Sequence, residues 1–194
     1  MKTAVVTGAS SFVGCNLAKE FAKQGWAVTA TLSKPRDAYD GVQAERLKWI
    51  GEPVSWRKLD LRDEKATRDF IAQVKPDLWV HHAGFAVNHG SPDYDLRVGH
   101  AVNVAPLSYI YEALAKAKCG GVIVTGSNME YSDTEQACKE TDECNPATPY
   151  GQSKLEETQT AEKLSKDYNV PTRVARLFIP FGRLDAPGKV LMYV

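Results

Sequence analysis

No stretch of this 194-residue chain stays apolar for the roughly 20 residues that a membrane-crossing helix requires. An excess of charge of one sign is missing too. The 24 basic residues balance 24 acidic ones, so the broad basic surface of a nucleic-acid binder is not expected. Cysteine is scarce and unpatterned: Cys15, Cys119, Cys138 and Cys144 form no Cys-x-x-Cys pair, which suits free thiols in a reducing cytoplasm. Cys138 and Cys144 are close in sequence, but no histidine stands nearby to complete a zinc site, so no metal is expected. Internal repeats and low-complexity segments are absent. The opening Met1-Lys2-Thr3-Ala4-Val5-Val6 has too short an apolar part for a signal peptide. The expectation is a soluble cytoplasmic protein with a small-molecule partner and neither a nucleic-acid nor a membrane one.

What is present is an ordinary globular composition, 43% hydrophobic and 25% charged, in a length that suits one domain or one plus part of another. Short β-branched runs alternate with longer amphipathic stretches, the pattern of a parallel sheet covered by helices. Strands are expected at 3–7, 26–32, 54–59, 78–82, 121–125 and 172–177. Helices are expected at 12–24, 39–49, 63–74, 95–118 (with Pro106 a possible kink) and 150–168. The final Gly188-Lys189-Val190-Leu191-Met192-Tyr193-Val194 is apolar and reads as an element cut short. The expected class is a Rossmann doubly wound α/β domain over 1–183. Residues 184–194 would begin a C-terminal substrate-binding region that is small or missing.

Thr7-Gly8-Ala9-Ser10-Ser11-Phe12-Val13-Gly14 lies between the first strand and the first helix. Glycines there allow a tight turn and close helix–strand packing, and they bring a helix N-terminus to a pyrophosphate. Ser11 stands where the middle glycine of a standard fingerprint would be. The loop and the helix start, Gly8, Ser10, Ser11, Phe12, Val13 and Gly14, are thus expected to bind a dinucleotide. After the second strand an acidic residue would select NAD, whereas cations accept the 2′-phosphate of NADP. Ser33, Lys34 and Arg36 there favour NADP over NAD, although such charges also make ordinary solvated turns.

Tyr150-Gly151-Gln152-Ser153-Lys154 opens the helix after the fifth strand. At this spacing Tyr150 and Lys154 share one face, so the ammonium is expected to lower a phenol pKa otherwise near 10. Such a tyrosine gives a proton to a ketone oxygen as hydride arrives, or removes it from an alcohol. Ser127, after Thr125-Gly126, would hydrogen-bond the substrate oxygen, and Lys154 would also hold the nicotinamide ribose.

Thr7-Gly8 to Gly14, Asp60-Leu61, His81-His82-Ala83-Gly84, Asn103-Val104, Ser127 to Tyr131 and Tyr150 to Lys154 occur in order over nearly the whole chain. Together they resemble the extended short-chain dehydrogenase/reductases: nucleotide-sugar epimerases, dehydratases and ketoreductases. The resemblance implies that Asp60 and Leu61 lie against the adenine and that Ala83 and Gly84, beside His82, flank the nicotinamide ribose. It implies that Asn103 supports the active-site geometry. Arg176 to Gly182 is similar to the segment passing the nicotinamide, with Ile179 where members usually carry asparagine. His81 and His82, at a strand end, also fit plain packing.

Dehydratases of that family resemble one another in an aspartate and a glutamate ahead of the tyrosine matching Tyr131. Here Asn128 and Met129 hold those positions and Glu130 is displaced by one, which argues against dehydration. An NADP-dependent 4-ketoreductase of a nucleotide-sugar is the preferred expectation, with an NAD-dependent nucleotide-sugar epimerase as the alternative. A reductase of a non-sugar ketone or aldehyde, a non-catalytic NADP sensor and an inactive fragment stand behind them. The resemblance also implies a homodimer through the helices at about 95–118 and 150–168. Leu107, Ile110, Tyr111 and Leu114 fit that interface or core packing.

Overall fold

The computed structural model describes residues 1–51, 53–132 and 136–186. Among them six strands form one parallel sheet in the order β3-β2-β1-β4-β5-β6. The strands are β1 (Thr3–Val6), β2 (Ala27–Leu32), β3 (Val54–Lys58), β4 (Leu78–His81), β5 (Gly121–Ser127) and β6 (Thr172–Leu177). The helices are α1 (Phe12–Lys23), α2 (Gly41–Ile50), α3 (Glu64–Val74), α4 (Leu96–Gly99), α5 (Leu107–Lys116) and α6 (Pro149–Tyr168).

Side chains alternate across a strand, so each strand feeds two cores. Val5 and Trp79 point into a cluster with Phe70 and Ile71 of α3, Ile110 and Leu114 of α5 and Ala161 of α6. Their neighbours Val6 and Val80 point into the opposite cluster with Cys15 and Ala18 of α1 and Leu47 and Ile50 of α2. Helices therefore cover both faces, which is the doubly wound arrangement expected from the alternation of elements. Strand order reverses between β1 and β4, where a crevice opens at the carboxyl ends of the strands.

Some expected bounds need correction. The helix read as 95–118 is α4, a π turn over His100–Val104, and then α5. Pro106 lacks an N–H and disfavours helical backbone at the residue before it, which fits an irregular turn at this point. β5 continues to Ser127, two residues past its expected end at Thr125, because Ser127 pairs in register with Leu177 of β6. Leu107, Ile110, Tyr111 and Leu114, read as interface or core packing, are fully buried in the core of the chain itself. Of the expected C-terminal region 184–194, residues 187–194 lie outside the described residues. Among the described residues no helix is long and apolar enough to cross a membrane.

Candidate active site

A single cleft of about 990 Å³ runs along the crevice, from the glycine loop past Asp60 and Leu61 to Ser127, Tyr150 and Lys154. Its first wall is set by Thr7. The Thr7 hydroxyl accepts the backbone N–H groups of His82 and Ala83 (2.8 and 2.9 Å) and donates to the Val80 carbonyl (3.1 Å). This ties the end of β1 to the end of β4. Gly8 then turns with φ +70°, and a Cβ there would stand 2.8 Å from Ala83 Cα. Ser11 caps α1, accepting the Gly14 N–H at 2.9 Å. The N–H groups of Phe12 and Val13, in the first turn, have no intrahelical acceptor to reach. Ser10, Ser11, Phe12 and Val13 line the cleft, so the helix end faces it as an anion would require. Gly14 serves packing, sitting against the Gly8 carbonyl.

The cation pair read after β2 is not at the cleft. Lys34 Nζ lies 5.5 Å over the Tyr39 ring and Arg36 lies 4.6 Å over the Trp56 ring. Ser33 lines the cleft, but neither cation does. Both exposed cations rest beside neighbouring aromatic rings, and Arg62 is the cation that lines this end of the cleft. The carboxylate that does line this end is Asp60, paired with Arg62 at 2.6 Å, a contact that holds its pKa below the usual carboxylate value. Leu61 beside it is buried, and its carbonyl accepts the Tyr109 hydroxyl.

His82, Ala83 and Gly84 line the middle of the cleft, while His81 is fully buried behind them with Trp79 Nε1 donating to its Nδ1 at 3.4 Å. Asn103, in the π turn, accepts the Phe85 N–H at 2.6 Å and donates to Ser153 on α6 at 3.2 Å. It thus bridges the loop after β4 to the helix carrying Tyr150, rather than groups of its own helix.

Thr148 caps α6 and Pro149 fills its first position, which puts Tyr150 and Lys154 one turn apart at the cleft. Lys154 is buried and donates to Glu157 Oε2 at 2.6 Å. Burial pulls the lysine pKa down, but Glu157 and Tyr150 more than offset it, and the net direction is up. Lys154 does lower the Tyr150 pKa as expected, but the net direction is up. Burial dominates and raises the phenol pKa, Lys154 opposes it, and Glu157 works against Lys154. Tyr150 sits edge-on to the rings of Tyr94 and His89, with centroids at 5.5 and 5.7 Å.

Ser127 ends β5, with its hydroxyl accepting the Met129 N–H at 3.1 Å. Glu130, the displaced carboxylate, is fully buried and turned away from the cleft. It accepts the Ser127 N–H at 2.8 Å and pairs with Arg176 Nε at 2.7 Å. Burial works against the Arg176 charge, but Glu130 and Tyr131 hold its pKa above the ordinary arginine value. Leu177, Ile179 and Pro180 close the far end of the cleft, with Phe178, Ile179 and Phe181 exposed.

Sequence reasoning missed three features. Glu130 was legible as the fourth residue of a Ser-x-x-Glu capping box. The i,i+3 spacing of Glu157 to Lys154 allowed their contact without settling it. The contact of Ser11 with His82, 71 positions apart, had no local signal.

Fold and cleft define a Rossmann-type α/β protein with its candidate site at the strand-order reversal. The NAD dependent epimerase/dehydratase family matches residues 4–194, and the chain belongs to that family, within the extended short-chain dehydrogenase/reductases. It is 24% identical to UDP-glucose 4-epimerase 2 of Arabidopsis thaliana over 162 residues, 79% of this chain and 45% of that protein. It is 25% identical to Protein CapI of Staphylococcus aureus over 194 residues, 96% of this chain and 57% of that protein. A putative epimerase from Burkholderia cenocepacia superposes with a TM-score of 0.80 at 25% identity, covering 98% of this chain and 58% of the other. UDP-glucuronic acid 4-epimerase from Bacillus cereus, in complex with UDP-glucuronic acid and NAD, has the same fold, with a TM-score of 0.80 at 19% identity over 97% of this chain and 60% of the other. The chain thus spans about half the length of the curated relatives it matches.

Proposed function

We propose that this chain is the cofactor-binding and catalytic part of an NAD-dependent nucleotide-sugar 4-epimerase. The observation that carries the reading is the cleft joining an open helix N-terminus to Ser127, Tyr150 and Lys154, with Lys34 and Arg36 not among its lining residues. The relatives named above include UDP-sugar 4-epimerases, and one of the solved structures holds NAD. This reading replaces the NADP-dependent ketoreductase, whose main support was the cation pair.

The residues fit a dinucleotide. Phe12 and Val13 N–H groups would take the pyrophosphate, Asp60 and Leu61 would lie at the adenosine end, and Ala83, Gly84 and Lys154 would flank the nicotinamide ribose. Bound there, the cofactor would accept hydrogen with its electron pair from a sugar carbon and return it to the opposite face. Tyr150 takes the proton from the C4 hydroxyl and gives it back, while Ser127 holds the same oxygen by a hydrogen bond. Burial raises the Tyr150 pKa and Lys154 lowers it, and Tyr150 must give up its own proton before it can take that of the C4 hydroxyl. Asn128, Met129 and the buried Glu130 leave no carboxylate pair at Ser127 for dehydration.

The test is to release cofactor from purified protein and incubate the protein with UDP-glucose, UDP-galactose and their uronic acid counterparts. Bound NAD and interconversion at C4, without net consumption of nicotinamide, are expected. NADPH consumed one-for-one with a keto-sugar would overturn the epimerase in favour of the reductase.

A further inference from the structure

Ser11 takes the place of a fingerprint glycine, and its side chain joins a chain of hydrogen bonds whose directions follow from where Thr125 places its hydrogen. Ser11 Oγ is 2.9 Å from Gly14 N and 2.8 Å from His82 Nε2. The other ring nitrogen, His82 Nδ1, is 2.9 Å from Thr125 Oγ1, which donates its own hydrogen to the His81 carbonyl at 3.3 Å. A hydroxyl has one hydrogen, and a carbonyl can only accept. In the arrangement where Thr125 gives its hydrogen to His81, it accepts from His82 Nδ1–H. Burial first, and the Lys154 charge second, lower the His82 pKa to about 4, so the ring is neutral and carries that one hydrogen. Nε2 is then a lone pair, and Ser11 Oγ–H must donate to it. The Ser11 oxygen meanwhile accepts the Gly14 N–H.

Every link runs one way, from Ser11 to His82 to Thr125 to the His81 carbonyl. Ser11 and His82 both line the cleft beside Phe12 and Val13. A serine in this position with a free hydrogen would donate it to a phosphate oxygen, a charge-assisted bond stronger than its neutral counterpart. Here that hydrogen is already committed.

We propose that His82 holds the Ser11 hydroxyl proton away from the dinucleotide pyrophosphate, so that the pair sets how tightly the cofactor is kept. Ser11 acts as a helix cap and not as a phosphate ligand. The phosphate is met by the backbone N–H groups of Phe12 and Val13, as it would be beside a glycine. The inference rests on the dinucleotide reading above, and its two tests separate one failure from the other.

The first needs no ligand. Side-chain ¹⁵N NMR of the protein at neutral pH, with the His82 signals assigned by their loss in His82→Leu, is expected to show Nδ1 protonated and Nε2 bare. A protonated Nε2 would overturn the proposal whatever the protein binds. The second is NAD calorimetry on the wild type, Ser11→Gly, His82→Leu and the double variant. Ser11→Gly is expected to bind within about twofold of wild type, since glycine is nearly as good a cap. His82→Leu frees the hydroxyl and is expected to bind about five- to tenfold tighter. The double variant returns to the Ser11→Gly value.

A large loss in Ser11→Gly would make Ser11 a phosphate ligand, and a His82→Leu effect that persists in the double variant would remove the coupling; either result overturns the proposal. Ser11→Ala replaces Ser11→Gly should the glycine variant not fold. Wild type that binds no NAD while showing the expected tautomer would bring down the dinucleotide reading, and the affinity role with it.

Discussion

Tyr150 works in a neighbourhood where burial and Glu157 push its proton on and only Lys154 draws it off. That balance gives two expectations. Tyr150→Phe removes the proton carrier and nothing else of similar size, so turnover should fall by about 10²–10⁴ while NAD affinity stays within experimental error. Calorimetry beside an epimerase assay checks both. Lys154→Met removes the group that lowers the phenol pKa, so the rise of oxidation rate with pH should move to more alkaline values. An unshifted pH profile would mean that Lys154 does not tune Tyr150. Glu157 was not singled out from the sequence. Its place at Lys154 depends on the rotamers of two long side chains packed under β4, which spacing alone does not settle.

At the scale of elements, the site stands on a clamp between β5 and β6. Glu130 joins the Ser127 N–H to Arg176, with the carboxylate fully buried and the arginine side chain 17% exposed. Removing one partner of a buried pair leaves the other unpaired, so Glu130→Ala should cost about 3 kcal/mol in urea unfolding. Turnover should suffer as well through Ser127. The glycine loop gives a second case. Gly8 has φ +70° and lies against Ala83, so Gly8→Ala meets both left-handed backbone strain and a steric clash. A loss of about 2 kcal/mol or more is expected, together with weaker NAD binding. Both turns were legible as motifs, one as a glycine after β1 and the other as Ser-x-x-Glu. The π turn before Pro106 was not, because a proline announces irregularity without saying which hydrogen bonds replace the regular ones.

For the whole molecule, His81, buried behind the cleft, and His82, half-buried in its wall, make stability depend on pH. Burial lowers His81 to about 3 and His82 to about 4, against about 6.5 for an exposed ring. The unfolded chain therefore binds protons that the folded one refuses. The stabilisation is fully present above about pH 6.5 and is lost as pH falls towards those folded values, by about 1.4 kcal/mol per pH unit for each histidine. Urea midpoints measured between pH 7 and 4.5 should fall steeply in the wild type. In His82→Leu the slope should be close to halved.

The alternation of β-branched runs with amphipathic stretches was enough to determine a parallel sheet with helices on both faces, because each pattern suits only one way of burying its apolar side. The order of motifs along the chain likewise determined the family and the positions of Ser127, Tyr150 and Lys154. The tertiary structure alone decided what those positions do to one another. Lys34 and Arg36 read as phosphate ligands until the fold set aromatic rings beside them. Leu107 and Ile110 fitted a partner's face as well as a core until α5 packed onto the sheet. Ser11 read as one more residue of the dinucleotide loop until His82, just after β4 and far along the chain, came within hydrogen-bonding distance. Each of these depends on side chains distant in sequence meeting in a low-dielectric interior, where a neighbour within a few ångströms outweighs the local pattern.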